Sequence, residues 1–320
     1  MSLSVLQAGP MLSVQDLGRK GLLHAGVSGS GPMDPPSFRI ANALVGNPET
    51  SAALEFALVG GVFAVTHPVR VAVTGADIDI RIDGVSRPAW ESHDLRPGSK
   101  LAVGGVRGAV WGYLAISGGI DTPVVLGSRA THLRTALGGH QGRRLQAGDT
   151  LGLGGGASGP LLRLATMWRQ AAHPIRVVAG PQDDYFGPDA WAVFTGARFV
   201  VSAARDRMAQ MLEGPMITAV RGHDIVSDGT VAGSIQVPAS GKPLVLMAER
   251  QTTGGYPKIG TVASADLPRL AQTPSGQAVR FKVITQEQAE ALLLGWRRAW
   301  RTVIANLAEK PRAAARTRSG

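Results

Sequence analysis

The sequence of 320 residues contains no cysteine. This absence excludes a disulfide framework, a thiolate zinc site and a thiol nucleophile. Long apolar segments are also absent: the best uncharged apolar candidates, 108–120 and 151–162, are glycine-rich and shorter than the ~20 residues of a membrane-spanning helix. The start of the chain has no basic segment ahead of an apolar one, unlike a secretory signal. We therefore expect a cytoplasmic protein with no membrane association.

Several motifs of self-sufficient enzymes are missing. The one Gly-Lys pair, Gly241-Lys242, is followed by proline and so does not form a P-loop for nucleotide phosphates. There is no H-E-x-x-H, no G-x-S-x-G and no Met-Lys-Met, and the seven histidines are isolated from one another. We expect no bound metal and no biotin carried by this chain. Its chemistry is expected to use carboxylates, hydroxyls and amides.

The formal net charge of +10 is unevenly distributed. From Glu290 onward the chain has seven basic and two acidic residues, so this segment alone supplies half of the net charge. Elsewhere the basic residues are scattered, and they do not form the stripe with aromatic residues that a nucleic-acid-binding module shows. The pattern favours a solvated basic tail, expected to be disordered over 311–320, and predicts no nucleic-acid partner.

Glycine and proline are abundant, with 42 and 20 residues, and they separate short apolar runs. Residues 69–74 and 78–82 alternate in polarity, the pattern of a half-buried strand. Further apolar runs bounded by turn residues lie at 110–116, 175–178, 199–202 and 244–248. Many short strands between turns predict a mainly β fold of antiparallel sheets or barrels. The glycine-rich segment 151–160 is predicted to be a linker between two halves of similar size.

Three helices are predicted, each from its capping residue. Asp34 precedes a proline and an amphipathic run that ends at Gly46. Ser264 is the expected cap of a second, short helix. The segment 285–288 is a capping box, and the apolar periodicity after it predicts a long amphipathic C-terminal helix that ends before Pro311.

Two polar segments in the first half are candidates for a functional site. The backbone N–H groups of the turn 31–34 can bind a carboxylate or phosphate, although a tight turn with an ordinary helix cap explains the same residues. Glu55 lies among apolar residues, where a carboxylate needs a partner or has a raised pKa. Arg39 or Asn42 is the expected partner. Glu55 is thus either half of a structural ion pair or a catalytic acid or base.

The second half carries the densest set of hydrogen-bonding side chains. The polar residues 251–253 are consecutive and precede two glycines, so they cannot all face a core. With Gln236, they suit an amide-like or carboxylate ligand. Ser128 and Arg129 are a further candidate at a strand-to-loop transition, where turn chemistry alone also explains the neighbouring glycines.

These segments, in this order, resemble one known family. The shared motifs are G-x-M-D at 31–34, R-x-A-N-x-L-V-G-N at 39–47, A-x-L-E at 52–55, Y-L-A-x-x-G-G-I-D at 113–121, L-G-S-R-x-T at 126–131, G-R-x-L-x-x-G-D at 142–149, I-Q-V-P at 235–238 and R-Q-T-T-G-G-Y-P-K-I at 250–259. The family is allophanate hydrolase subunit 2, also called the C subunit of 5-oxoprolinase or the biotin-dependent carboxyltransferase family. The resemblance covers about residues 5–285.

The resemblance implies two cyclophilin-like antiparallel β-barrel domains, at 1–158 and 159–285, followed by the C-terminal helix at 286–310. It also implies a partner, subunit 1 (or B) of the same family, with the A subunit of 5-oxoprolinase as a further candidate. ATP is then expected to be bound by the complex. Five residues depart from the family's pattern: Arg205 replaces a serine, Ala209 a glycine, Met211 an arginine, Asp228 a glutamate and Glu249 an aspartate.

The first hypothesis implied by the resemblance is a subunit of an ATP-dependent 5-oxoprolinase, a hydrolase that opens a cyclic amide to give glutamate. The alternatives are a carboxyltransferase or allophanate hydrolase subunit 2 module of a urea carboxylase-type system, and a non-catalytic regulatory or metabolite-binding subunit. The acid–base candidates are Asp34, Glu55 and Asp266. The residues expected to bind a small amide or carboxylate substrate are Gly31, Met33, Arg39, Asn42, Ser128, Arg129, Arg207, Gln236, Gln251, Thr252, Thr253, Gly254, Gly255, Tyr256 and Lys258.

Overall fold

The computed structural model describes residues 1–156, 158–168 and 172–310, and the structural statements below refer to these residues. The predicted basic tail at 311–320 lies outside them. Within the described residues the chain is mainly β, as predicted, with few helices.

The elements are named here in chain order. The helices are α1 (Pro35–Leu44), α2 (Pro188–Gly196), α3 (Leu267–Gln272) and α4 (Gln286–Ala305), with short 3-10 helices at Leu23–Ala25 and Asp183–Tyr185. The strands are β1 (Ser2–Ala8), β2 (Ser13–Gln15), β3 (Ala53–Ala57), β4 (Val59–Val65), β5 (Val69–Thr74), β6 (Asp77–Ile82), β7 (Val85–Arg87), β8 (Ser92–Leu95), β9 (Lys100–Arg107), β10 (Trp111–Ile116), β11 (Ile120–Asp121), β12 (Thr150–Leu153), β13 (Leu162–Leu164), β14 (Ile175–Ala179), β15 (Phe199–Arg205), β16 (Ala209–Glu213), β17 (Asp228–Gly229), β18 (Ser234–Gln236), β19 (Leu244–Leu246), β20 (Thr253–Gly254), β21 (Lys258–Val262), β22 (Ala278–Val279), β23 (Phe281–Val283) and β24 (Leu307–Glu309). The six runs predicted as strands correspond to β5, β6, β10, β14, β15 and β19, with small shifts at their ends.

Two antiparallel sheets form the first half. One has seven strands in the order β11-β12-β1-β4-β9-β6-β7, and the other has five in the order β2-β3-β10-β5-β8. Apolar side chains of both sheets share one buried cluster, which includes Leu3, Phe63 and Ile80 from the first sheet and Leu114 and Ile116 from the second. Alternation along each strand therefore places one face of each sheet in this core.

One sheet of eight strands forms most of the second half, in the order β22-β15-β16-β19-β18-β21-β14-β23. Its strand pairs are antiparallel except β14 and β23, which are parallel at one end. Its buried side chains, such as Val177, Phe199 and Ile235, belong to the same apolar cluster as Phe38 of α1 and Tyr113 of β10. The two halves thus share a continuous interior, and polar groups at their junction are removed from water.

The prediction for the start of α1 is confirmed, because the carboxylate of Asp34 accepts a hydrogen bond from the backbone N–H of Ser37. The prediction for the second helix was wrong in its cap. α3 begins at Leu267 after Asp266, and Ser264 lies outside the helix. The chain makes a hydrogen-bonded turn over 263–266 first, and this turn delays the start of the helix.

The last helix begins as predicted, with reciprocal capping bonds between Thr285 and Gln288. It ends at Ala305, however, earlier than the apolar periodicity indicated. The following residues form β24, which pairs with β13, and the ammonium group of Lys310 lies 2.6 Å from a carboxylate oxygen of Glu91. Strand pairing at a distance in the sequence thus overrides the helical pattern. Among the helices of the described residues, none is both long and apolar enough to cross a membrane.

The segment predicted as a linker, 151–160, is partly a strand. Its first residues, up to Leu153, belong to β12 and pair with β1. The guanidinium of Arg70 donates to the three backbone carbonyls at 158–160. These contacts hold the end of the segment against the first half, so the linker is not free along its length. The boundary between domains at 158 and 159 stays a prediction.

Asp149 closes the glycine-rich turn before β12. Its carboxylate accepts two hydrogen bonds of 2.8 Å from Arg143 and one of 2.8 Å from the N–H of Gln146, and the bonds from Arg143 are the main reason why its pKa falls to about 2. Because the pKa of Asp149 is lower in the folded chain, its ionised carboxylate stabilises the fold at pH values above the ordinary aspartate pKa of about 3.9. This contribution is lost as the pH falls toward the pKa in the folded chain.

We expect Asp149→Asn to lower the free energy of unfolding by about 1–2 kcal/mol at neutral pH, and by less below about pH 4. Urea unfolding at several pH values measures the difference. Asp77→Asn, in an exposed pair, is the control, and a loss for Asp149→Asn that does not change with pH would contradict this account.

Candidate functional site

Arg207 lies at the centre of a buried polar network where the two halves meet. Its guanidinium, 1% exposed, donates from Nη1 to Glu55, from Nε to Glu249, and from Nη2 to the carbonyl of Gly31 (2.7 Å) and the hydroxyl of Ser30 (3.0 Å). Glu55 lies on β3, and Ser30 and Gly31 precede α1, so these three residues belong to the first half. Arg207 follows β15 and Glu249 follows β19, both in the second half. One cation therefore connects groups from both halves of the chain.

Glu55 is fully buried and hydrogen-bonded on both oxygens. Its Oε2 accepts from the backbone N–H of Met33 (2.8 Å) and from the hydroxyl of Tyr113 (2.9 Å), and that hydroxyl accepts from the N–H of Asp34 (2.7 Å). Burial raises the pKa of Glu55, and the neighbouring Arg207 only partly offsets this effect. Burial alone would lower the pKa of Arg207, but the carboxylates beside it raise the value above the ordinary one, so it is a cation.

The partner of Glu55 differs from the one predicted. The expectation of Arg39 or Asn42 was wrong, because α1 turns both side chains toward the loop that follows it. Arg39 pairs with Glu49 at 2.9 Å, and Asn42 donates to a backbone carbonyl of the same loop. The structural ion pair that the sequence left open is present, with Arg207 as the cation.

Asp34 and Glu55 are linked through Tyr113. The Oδ2 of Asp34 accepts from the hydroxyl of Ser37 (2.7 Å) and from the amide of Gln272 (3.0 Å), and burial raises the pKa of Asp34 despite these bonds. Gln272, at the end of α3, also accepts from two consecutive backbone N–H groups at the start of β10. The helix cap of α1 is thus part of the contact between the halves.

Asp266 does not share this network. Its carboxylate forms a two-point ion pair with Arg176, at 2.6 and 2.8 Å, and accepts the backbone N–H of the same residue. It lines a cavity on one side of α4, whereas Met33 lines another. The structure brings Asp34 and Glu55 together and leaves Asp266 apart.

Ser128 and Arg129 bind other parts of their own loop region. The hydroxyl of Ser128 and the backbone N–H of Arg129 both donate to Asp16, at 2.5 and 2.6 Å. The guanidinium of Arg129 reaches Asp121 at 2.8 Å and the carbonyl of Thr122. These contacts fold this part of the loop against the start of the chain. The loop reaches the network around Arg207 only further on, where the carbonyl of Thr131 accepts from Ser30 (2.6 Å) and the backbone N–H of Leu133 donates to Glu249 (3.0 Å).

Gln236, on β18, is fully buried, yet neither atom of its amide has a hydrogen-bond partner in the described part of the chain. An unpaired buried polar group costs about 1–3 kcal/mol. The Nε2 of Gln236 lies against Gly254. A Cβ atom at this position would be 2.3 Å from the Nε2 of Gln236 and 3.4 Å from the Nε2 of Gln251. The glycine leaves room where two amide side chains converge.

The loop after Gln251 is held by its backbone. Thr230 binds two of its carbonyls, one through the hydroxyl and one through the backbone N–H, and β20 pairs with β17. The side chains of Gln251, Thr253 and Tyr256 are exposed, and Thr252 is half-buried. Because the backbone supplies the order, these polar side chains are available to a ligand.

An ion pair lies beside this loop. The buried Lys258 places its Nζ 2.8 Å from Asp228, whose side chain is 48% exposed and also accepts from Gln182. The hydrogen bond from Lys258 is the main cause of a lowered pKa at Asp228. Asp228 is opposite Gly254 in the strand pair β17–β20, so its backbone lies beside the glycine at which the two amides converge.

Among the residues of these clusters that were not predicted as site residues are Ser30, Tyr113, Asp228, Glu249 and Gln272. A tyrosine within an apolar strand is a recognisable signal, because a buried hydroxyl usually finds a partner. Gln272 and Asp228 have no such local signal, and their roles follow only from the tertiary structure.

The fold and the clusters define a mainly β protein with a buried polar network at the junction of two halves and an amide-rich loop in the second. The family model "Carboxyltransferase domain, subdomain A and B" matches residues 25–283. The chain belongs to this family, as the resemblance of its motifs predicted.

Two bacterial relatives and one solved structure show how similar this chain is to known proteins. The chain is 34% identical to the C subunit of Escherichia coli 5-oxoprolinase over 289 residues, which cover 90% of this chain and 93% of the relative. It is 34% identical to the C subunit of Haemophilus influenzae 5-oxoprolinase over 294 residues, covering 91% and 94%. The crystal structure of K. lactis urea amidolyase superposes with a TM-score of 0.88 at 27% identity, covering 94% of this chain but only 20% of that protein.

Proposed function

We propose that this chain is a subunit of an ATP-dependent 5-oxoprolinase, which converts 5-oxoproline, ATP and two water molecules to glutamate, ADP and phosphate. The observation that carries the proposal is the unpartnered, fully buried amide of Gln236 beside Gly254. A lactam presents a carbonyl acceptor and an N–H donor on adjacent atoms, so it complements a primary amide with two hydrogen bonds. The similarity to the C subunit of 5-oxoprolinase from two bacteria supports the same substrate class.

In this proposal the substrate lies between Gln236 and the loop that begins at Gln251. The amide of Gln251 and the hydroxyls of Thr252 and Thr253 supply further hydrogen bonds, and Gly254 allows the close approach. The ring-opening step adds water across the lactam C–N bond, so the carbonyl carbon gains an oxygen and the nitrogen gains a proton.

Asp34 and Glu55 are the proposed acid–base pair, because both are buried with raised pKa values and Tyr113 lies between them, its hydroxyl donating to the carboxylate of Glu55 and accepting from the backbone N–H of Asp34. Arg207 is proposed as a positioning residue, since its donors are bound by protein groups on both sides. Glu249, one of its partners, precedes Gln251 by two positions and connects the network to the amide-rich loop. We assign no step to Asp266, which is held by Arg176 elsewhere.

ATP binding and assembly also belong to the proposal. The chain has no P-loop, so we propose that ATP is bound by the complex with subunit 1 (or B), and with the A subunit where it is required. The relatives are themselves called subunits, which supports the need for partner chains.

Reconstitution tests the proposal. The purified chain, combined with its partner A and B subunits, is expected to release glutamate and ADP from 5-oxoproline and ATP, and omission of this chain should abolish glutamate release. Omission of 5-oxoproline, with ADP release as the readout, separates coupled turnover from a background ATPase. No glutamate from the complete, correctly assembled complex would refute the assignment.

The similarity to K. lactis urea amidolyase favours a second candidate, a carboxyltransferase module that acts on urea or a related amide, with biotin on another chain. Urea also offers a carbonyl and N–H groups to Gln236. Bicarbonate-dependent carboxylation of urea by the same complex, in place of glutamate release, would select this candidate. A purely regulatory subunit would instead lose ligand binding in Gln251→Ala and Thr253→Ala, with no turnover in either assay.

A further inference from the structure

A cavity of about 340 Å³ lies beneath α4, between α1 and the second half of the chain. This volume is in the range of sites that bind small molecules. The walls come from the turn 29–33, the start of α1, the segment 247–250, the start of α3 and one side of α4. The wall from α4 follows the residues matched by the family model, so the described cavity depends on a segment outside that match.

Aromatic and aliphatic side chains cover much of this cavity. Its lining includes Met33, Met247, Leu293, Trp296 and Trp300. Trp300 is only 5% exposed, and the indole N–H groups of Trp296 and Trp300 are both buried without a hydrogen-bond partner in the described residues. Buried indole N–H groups usually find an acceptor. The cavity therefore offers apolar surface from the two indoles, whose N–H groups are themselves buried, and the guanidinium of Arg39 lies over the ring of Trp300, 4.9 Å from its centroid.

The charged groups in the lining are all cations. Of the described residues, those that line the cavity include Arg39, Arg250 and Arg297 but no acidic side chain. Arg250 is 9% exposed, and its one protein acceptor is the carbonyl of Thr230, 3.4 Å from Nε. Burial lowers the pKa of Arg250, and no carboxylate compensates for this. A guanidinium buried without a counter-ion gains from a bound anion.

We propose that this cavity binds a small organic anion with a planar apolar body, that is, an aryl carboxylate or an aryl phosphate. Its acidic group is held by Arg250 and Arg297, and its ring packs against Trp296 and Trp300. This site goes beyond the proposed function, because 5-oxoproline and urea have no aromatic body.

A ligand in this cavity is also placed to influence the buried network. Ser30 lines the cavity, and its hydroxyl both accepts from Arg207 and lies 3.3 Å from a carboxylate oxygen of Glu249. Arg250 follows Glu249 directly in the chain. A ligand that orders Ser30 therefore orders a group in contact with Arg207. A ligand that orders Arg250 orders the residue next to Glu249, one of the carboxylates paired with Arg207.

Calorimetric titration of the full chain tests the proposal with three probes. Indole-3-acetate and 1-naphthyl phosphate are the anions, and indole-3-acetamide is the neutral match for the first. At least one anion is expected to bind saturably and at least about tenfold more tightly than the amide, because charge-assisted bonds to guanidinium require the negative group. The stronger of the two anions identifies a carboxylate or a phosphate as the preferred group.

Two neighbouring arginines of α4 provide matched variants. Arg297 lines the cavity and Arg298 does not, and both are on the surface of the helix, so neither substitution should impair folding. Arg297→Met is expected to weaken binding of the preferred anion at least about fivefold, and Arg298→Met less than about twofold. In Trp300→Phe one indole N–H resonance disappears from the nuclear magnetic resonance spectrum. In the unmodified chain that same resonance should shift on titration.

Three results would overturn the proposal. The first is no saturable binding of either anion up to about 10 mM. The second is equal affinity for indole-3-acetate and indole-3-acetamide without preference for the phosphate. The third is an equal effect of Arg297→Met and Arg298→Met. Because the titration needs neither turnover nor another chain of the complex, these results are independent of the reconstitution that tests the proposed function.

Discussion

Replacement of Arg207 by methionine is expected to lower the free energy of unfolding by about 3–5 kcal/mol, measured by urea or thermal unfolding. The substitution keeps an unbranched side chain of similar length, so the main loss is the charge. It leaves Glu55 and Glu249, 0% and 2% exposed, without their common cation. In the variant, two buried carboxylates have no cation to compensate for the loss of their hydration.

The exposed pair of Arg107 and Asp77 provides a control for the loss of Arg207. Both side chains of that pair are about two-thirds exposed, at 68% and 70%, so Arg107→Met is expected to change stability by no more than about 1 kcal/mol. Lowering the pH should narrow the difference in the free energy of unfolding between Arg207→Met and the unmodified chain, because protonation of Glu55, whose pKa is raised by burial, removes an uncompensated charge. If Arg207→Met were as stable as Arg107→Met at neutral pH, the ion pairs would not stabilise the junction as described.

The elements that were predicted correctly from the sequence are determined by residues close together in the chain. β6 alternates polar and apolar side chains in its own six residues, and the capping box at Thr285 needs only the following turn of α4. Asp34 caps α1 through Ser37, three positions away. In each case the physical preference is local, so a pattern in the sequence is sufficient to identify it. β5, predicted to be half-buried, is instead buried along its whole length.

The site was only partly predictable, because its central contacts join distant residues. Nothing near Glu55 in the sequence indicates that its cation is Arg207 rather than Arg39, and nothing near Asp34 indicates Gln272. The motifs did identify Asp34, Glu55 and Arg207, but not which groups these residues bind. Their partners depend on how the sheets of the two halves pack, which a single sequence does not specify.

Replacement of Gln236 by leucine is expected to separate stability from function. The side chains have similar volumes, and the amide of Gln236 has no partner to lose within the described residues. Removing an unsatisfied buried amide should leave the free energy of unfolding unchanged or raise it by about 1–3 kcal/mol. The same change removes the two hydrogen bonds proposed for the lactam. We expect kcat/KM for 5-oxoproline in the reconstituted complex to fall by about 10- to 100-fold.

Gln210→Leu is the matched control for this prediction. Gln210 is also a buried glutamine of the second half's eight-stranded sheet, but it has one hydrogen bond to lose: its Nε2 donates to the carbonyl of Leu270 on α3 (3.3 Å), whereas its Oε1 has no partner in the described residues. The control should therefore lose some stability and keep its activity, the reverse of the result expected for Gln236→Leu. Ligand binding offers a third measurement, since saturating 5-oxoproline should stabilise the unmodified complex and not the Gln236→Leu complex. Unchanged activity and unchanged stabilisation by 5-oxoproline in Gln236→Leu would mean that the unpaired amide does not contact the substrate. The proposed substrate site between Gln236 and the loop at Gln251 would then be wrong.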